Sequence, residues 1–205
     1  MTYQEIYDSV VSLTNHPEMA AEIATAIQAS TLRTHQSDFY SRDVAEQSIT
    51  LSASGYLQTI VISPSFVRFR ALKYVRKWDP TGIDPLTGAV GTPGIFFKKL
   101  DPDAVIDGYG YHKNNVFYVA GSNINIRSDT PISAVLAGWY QNPKITPVGQ
   151  YSSWIADLVP HAIIFDACSL IFQTVGQQDQ SRKYDNLVAE QMQLVRQHGL
   201  EGVGY

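Results

Sequence analysis

From Tyr3 to Leu13 the apolar residues Ile6, Val10 and Leu13 return every three or four positions, which puts them on one face of a predicted helix. Thr2, followed three residues later by Glu5, is the capping-box signature that starts it: the hydroxyl takes a free N–H of the first turn and the carboxylate reaches back. A second helix is predicted from Pro17 through His35, with Met19, Ile23, Ala26, Ile27 and Ser30 along one face and Pro17 at a first-turn position where its missing N–H costs nothing. The short "TNH" between them predicts an antiparallel hairpin of helices.

From about Ser48 the period of the pattern shortens. "SITLSASGYLQTIVIS" and "SFVRFRALKYVRKW" are rich in β-branched and aromatic residues, and Val67, Phe69 and Ala71 alternate with Arg68 and Arg70 as in a half-buried strand. Val116 to Ala120 and Asn123 to Arg127 predict two short strands, with Gly121 and Ser122 as the hairpin turn and Gly121 at positive φ. "AVLAGWYQNP" predicts a further strand, ended by Pro143. Between the strands, Asp79 to Gly94 ("DPTGIDPLTGAVGTPG") carries two Asp-Pro…Thr-Gly pieces, Asp79 to Gly82 and Asp84 to Gly88. It predicts a long exposed loop or extended hairpin, either a plain connection or a projecting contact loop.

Apolar helical spacing returns in "SSWIADLVPHAIIFDACSLIFQTVG", Ser152 to Gly176, and in "DQSRKYDNLVAEQMQLVRQHG". In the latter Asp179 is the expected N-cap, Leu187, Gln191, Leu194 and Val195 share a face, and Gly199 is the expected stop. The pattern thus predicts an α+β fold: a helical bundle from the N- and C-terminal helices, an antiparallel β middle region and a long projecting loop. One domain is expected, helical over 1–47 and 152–198, β over 48–151, with a C-terminal tail at 199–205.

Composition narrows the function classes. The 205 residues are 44% hydrophobic and 17% charged, enough to build a core and too apolar for wholesale disorder. A net charge of -4 lacks the basic footprint of sequence-independent nucleic-acid binding. Cys168 is the only cysteine, which excludes an intrachain disulfide and any zinc site of several cysteines. No positive n-region opens "MTYQEIYDSVVSL", and no apolar run approaches the roughly 20 residues of a membrane span, so a soluble protein without a membrane partner is expected.

Asp157, His161, Asp166 and Cys168 are the side chains that metals and nucleophilic chemistry use, and they stand within twelve positions. The spacing argues against a site. His161 and Cys168 are seven residues apart, about 10 Å of helical rise, too far for one ion with bonds near 2 Å. Pro160 belongs at the start of a new helix, which leaves Asp157 in a lead-in segment and dissolves its four-residue relation to His161. Trp154, Ile164, Phe165, Ile171, Phe172 and Val175 instead make this a core helix.

Other motifs fare no better. Asp101, Asp103 and Asp107 resemble the start of a calcium loop, but Val105, Ile106 and His112 stand at its fifth, sixth and twelfth positions, so a turn is expected. No phosphate-binding loop, nucleophile elbow or H-E-x-x-H occurs. Arg68, Arg70, Lys73, Arg76 and Lys77 interleave with Phe69, Tyr74 and Trp78, which reads as the solvated face of a sheet or as a nucleic-acid-facing strand. Neither catalysis nor a metal or other cofactor is expected. The rival readings are a small metal-dependent enzyme using Asp157 and His161, and a nucleic-acid-binding module using Arg68 and Arg70.

Taken in order, "TYQEIYDSVVSLTN", "EIATAIQAST", "SPSFVRFRALKYV", "FYVAGSNINIR", "AVLAGWYQNPKIT" and the C-terminal helices resemble the head-to-tail adaptor, or connector, proteins of tailed bacteriophages. The resemblance covers nearly the whole chain. Its most specific pieces are the hairpin and the pattern of Trp154, Pro160, Phe165 and Ala167. It implies a homo-oligomeric ring, usually of twelve copies, docked beneath the portal protein in the virion neck after synthesis in the host cytoplasm. Such a ring extends the DNA ejection channel, lets DNA pass without sequence-specific binding, and gives the tail or nozzle protein its platform. Carried onto this chain, Gly199, Leu200, Glu201, Gly202, Val203, Gly204 and Tyr205 become the portal-binding tail. Asp79, Pro80, Asp84, Pro85 and Gly94 mark the tail-side loop, while Trp154, Phe165 and Phe172 belong to the core helix. A tail tubular or nozzle-type ring protein is the nearest alternative within the same plan.

Overall fold

A computed structural model describes residues 1–83, 86, 88–105 and 112–200 of the chain. In chain order its elements are α1 (Tyr3–Thr14), α2 (Ala20–Gln36), β1 (Val44–Val61), the single turn α3 (Ile62–Ser65), β2 (Phe69–Ile83), β3 (Val90–Phe96), β4 (Lys98–Lys99), β5 (Val116–Ala120), β6 (Asn123–Gln141), α4 (Trp154–Leu158), α5 (Pro160–Thr174) and α6 (Gln178–Leu200). The fold is α+β, with a sheet that is antiparallel apart from the short β4–β5 pair. The chain divides into two compact units, Val44–Gln141 and the two flanking segments 1–43 and 142–205. The division falls at 43/44 and 141/142, whereas the sequence pattern puts the helix-to-strand changes at 47/48 and 151/152.

In the helical unit, α5 is the central element, and α1, α2, α4 and α6 all rest against it. Ala162, Ile163, Ile164, Ala167, Cys168, Ile171 and Phe172 are buried around most of its circumference, which explains why its apolar residues are not confined to one stripe. The Thr2–Glu5 capping box forms as expected, and Asn15 ends α1 in the left-handed region at φ 55°. The buried face of α1 is Tyr3, Ile6, Val10 and Thr14, while Leu13 is 43% exposed. Helix α2 begins three residues after Pro17, with Met19 as its cap residue, so Pro17 lies in the preceding turn and not in the first helical turn. Both helices contact α5 more than each other, so the expected hairpin is held chiefly through a third helix.

Helix α6 corrects three further expectations. Asp179 lies within the first turn instead of capping it, and Leu194 is 43% exposed, while the buried positions among those described are Ser181, Tyr184, Val195 and Gly199. Gly199 does not stop the helix, which continues to Leu200. A Cβ at Gly199 would fall 2.2 Å from a ring carbon of Tyr40, so this glycine is a point of close approach.

In the β unit the long β6 is flanked on one side by β1 along both of its halves. On the other side it pairs with β5 over Asn123–Arg127 and with β2 over Val135–Gln141. The two strands expected at Asn123–Arg127 and at "AVLAGWYQNP" are thus one strand of 19 residues. Gly121 turns the β5–β6 hairpin at φ 58°, as its position predicts. Phe117, Ile124, Ile126, Val135, Ala137 and Trp139 form the core of this unit, with the ring of Phe66 edge-on to Trp139 at 4.8 Å. The simple alternation expected around Val67 fails: Arg68 takes φ 51°, Val67 is 62% exposed, and β2 starts only at Phe69, with two register shifts soon after. Those bulges change which face each side chain takes.

Candidate functional site

Each candidate in Ser152–Gly176 is placed by the break at Pro160, which opens α5 while Ser153 caps the separate helix α4. Asp157, exposed on α4, accepts a hydrogen bond from the Met1 amino group at 2.8 Å. His161 is exposed on α5 with its ring 5.2 Å from that of Phe165. Asp166 is buried and accepts from the guanidinium of Arg33 at 2.8 Å. Cys168 is fully buried, and the loss of hydration pushes its thiol up to about 12, which keeps it protonated and inert. Four side chains that look like one cluster in sequence therefore have four separate surroundings. Among the described residues, no three His, Cys, Asp or Glu side chains gather where they could hold a metal.

The tightest polar constellation is one that sequence reading misses. His35, on α2, faces Asp43 Oδ1 with Nδ1 at 2.8 Å and Ser153 Oγ with Nε2 at 2.9 Å. Trp154 Nε1 donates to the same Asp43 Oδ1 at 2.8 Å, and its ring meets those of His35 and Tyr40 edge-on. A serine, a histidine and an aspartate in this order have the connectivity of an acyl-transfer triad. The surroundings assign it a different role. His35, Asp43 and Ser153 are all 5% exposed or less, and Ser153 Oγ also accepts the Ala156 N–H at 3.2 Å as the cap of α4. A nucleophile must face a space that substrate can enter, and this one is spent on a helix end. The network joins α2, the residue just before β1 and the start of α4. Sequence reading singles out only Trp154 of its four members, and as a core residue, since His35 and Ser153 are 118 positions apart.

A second polar stitch ties α5 to α6. Ser169 Oγ lies 2.9 Å from Ser181 Oγ and donates to Asp185 Oδ1 at 2.6 Å. Of the core aromatics picked from sequence, Phe172 is buried and stacks on Tyr184 at 5.4 Å, while Trp154 and Phe165 are half-buried at the edge of the same core.

Arg68, just before β2, and Lys73, Arg76 and Lys77 on it are engaged locally. Arg68 donates to Gln141 Oε1 at 2.7 Å, Lys77 to Thr130 Oγ1 at 3.0 Å, and Arg76 to Gly94 O at 2.9 Å while lying 4.3 Å above the Phe96 ring. Lys73 sits 5.6 Å from the centre of the Tyr140 ring. Such contacts hold a sheet face together and leave these groups poorly placed to follow a phosphate backbone.

Within Asp79–Gly94, the ends of β2 and β3 pair antiparallel, with Asp79 opposite Thr92 and Ile83 opposite Val90. The stretch is therefore an extended hairpin over its described part. Asp79 Oδ1 accepts from the N–H of Thr81 and of Gly82, which closes the turn at Pro80, and these bonds with the Thr81 hydroxyl hold its carboxyl below its ordinary pKa. Gly94 lies beside Lys77. Asp84 and Pro85 lie outside the described residues, as do Glu201, Gly202, Val203, Gly204 and Tyr205 of the C-terminal tail. Gly199 and Leu200 complete α6, where the His198 carbonyl accepts a bond from Arg42 Nε at 3.1 Å. Asp101 and Asp103 flank and enter a short 3-10 turn at Pro102–Ala104, in line with a turn, and Asp107 is outside the described residues.

No protein-family model and no curated protein matches the chain. No helix of the described residues is long and apolar enough to cross a membrane.

Proposed function

We propose that this protein is a structural head-to-tail adaptor of a phage virion. It forms a ring beneath the portal, extends the DNA channel and carries the tail. The observation that supports this reading most is where apolar surface remains uncovered. Of the ten large apolar side chains that are at least 50% exposed among the described residues, Tyr56, Leu57, Val61, Val67, Ile83, Leu86, Val90, Ile95 and Phe96 belong to the β unit and only Phe39 to the helical unit. Apolar side chains left exposed in this number on one unit are consistent with a surface that other protein covers. A β unit inserted between helical segments is also the order of parts that the resemblance to adaptors implies. The side chains an enzyme would use, meanwhile, are apart or committed to helix caps and buried bonds.

In this reading the portal binds the C-terminal segment from Gly199 onward, the Asp79–Gly94 hairpin faces the tail or nozzle protein, and DNA slides past a chain of net charge -4 without being gripped. Mixing the purified protein with portal and imaging the product tests it. A ring stacked on the portal is expected; a protein that stays monomeric in the presence of the portal, or is absent from purified virions, refutes the reading.

A further inference from the structure

The sheet of the β unit has two long outer strands. β1 and β2 flank β6, since Ala45 and Leu72 both pair with Trp139, and β3 adds outside β2. Among the described residues, no strand pairs with the outer edge of β1 or of β3. Natural edge strands are usually blunted by charge, yet β1 has a single charged residue in 18, Glu46, and β3 has none in seven. Six of the nine exposed apolar side chains of the β unit lie on these same two strands, the others being Val67, Ile83 and Leu86. Tyr56, Leu57 and Val61 lie on β1 and Val90, Ile95 and Phe96 on β3, whereas β5 and β6 contribute no large side chain that is similarly exposed.

The strand directions fit each other. β1 and β2 both run antiparallel to β6, and β3 runs antiparallel to β2, so β1 and β3 point in opposite directions. A second copy in the same orientation can therefore set its β3 beside β1 as an ordinary antiparallel neighbour. We propose that β1 of one copy pairs with β3 of the next, joining the sheets head to tail. The contact uses two different surfaces of one chain, the kind of interface that closes into a ring when the rotation fits, and its affinity comes from main-chain bonds added at a sheet edge. Pro93 supplies no N–H, so β3 donates one bond fewer than its length allows, and the flanking apolar side chains take a correspondingly larger share. The inference rests on the ring of the proposed adaptor and gives that ring its subunit contact.

Paired cysteines test it in a background of Cys168→Ala. One cysteine replaces Leu57, Thr59 or Val61, and a second replaces Val90, Thr92 or Ile95, in all nine combinations, with the ring assembled on portal and then oxidised. At least one double variant is expected to give a ladder of covalent oligomers on a denaturing gel, while the matching single variants stay largely monomeric. Rings visible in the microscope with no ladder from any pair would overturn the β1–β3 contact and leave the adaptor reading intact. Covalent dimers from a single β1 cysteine would replace it with a two-fold β1–β1 contact. Absence of any ring would overturn both.

Discussion

The two units handle their surfaces in opposite ways. The helical unit carries six Lys and Arg against twelve Asp and Glu, and among the described residues none of its large apolar side chains exceeds the 55% exposure of Phe39. The β unit carries nine against seven and exposes Leu86 at 95%, Val90 at 75% and Ile83 at 67%. One closes its core on α5 and spends its polar groups internally; the other leaves apolar strands uncovered. The proposed assembly accounts for that difference by covering the apolar strands of the β unit with a neighbouring copy.

Cys168 offers the sharpest test of how closed the helical core is. With its thiol pushed up to about 12, its thiolate at pH 8 is scarcer than that of an ordinary cysteine by on the order of a thousandfold, and a thiol reagent should not label it until the unit unfolds. The sign follows from the raised value: the protonated thiol is the form the fold accepts. Its contribution is therefore constant below the unfolded-state value near 9 and is lost as pH rises from there toward 12. Rapid labelling of native protein at pH 8 would contradict a closed core.

Truncating Ile163, fully buried on α5, to alanine should cost about 3 kcal/mol, seen as a lower urea midpoint of the helical unit. The three tryptophans let the units be followed apart, with Trp154 in the helical unit and Trp78 and Trp139 in the β unit. Single-tryptophan versions should show Ile163→Ala acting on the Trp154 transition and sparing the other two. Equal shifts at all three positions would mean that the units unfold as one.

Asp43→Ala should cost nearly as much, about 2 to 3 kcal/mol, because it strands the Trp154 Nε1–H and the ring of His35 in a buried space. Ser153→Ala keeps the histidine–aspartate bond and removes only a cap and one contact, so about 1 kcal/mol is expected. In the β unit, Gly138→Ala should cost about 1 to 2 kcal/mol, since a Cβ there would fall 2.5 Å from the Tyr74 ring. Val90→Ser, at a 75% exposed position, should change the stability of the isolated chain by less than about 0.5 kcal/mol. A large loss of stability from Val90→Ser would show that this side chain is packed within the monomer.

How much of this was legible in sequence depends on the range of the interactions. The capping box at Thr2, the break at Pro160, the Gly121 turn and the apolar record of α5 are set by neighbours a few residues away, and each reads correctly. The edges of the β unit do not, because register shifts between Phe69 and Ala71 and between Leu72 and Tyr74 change the facing of side chains that a period of two assigns. Gly199 resembled a helix stop because a glycine needed for approach to Tyr40 has the same letter as one needed for a turn. The His35–Asp43–Ser153–Trp154 network was invisible, since its members come from three segments and no local pattern announces a buried histidine. The break at Pro160, also read from sequence, is one reason why Asp157, His161, Asp166 and Cys168 have separate surroundings.

The most direct measurement is an image of the protein mixed with its portal, with the copy number counted in projection. The adaptor account predicts rings seated coaxially on the portal, with the β unit in contact between neighbours; single copies scattered free of the portal, at concentrations where the portal itself is intact, would contradict it.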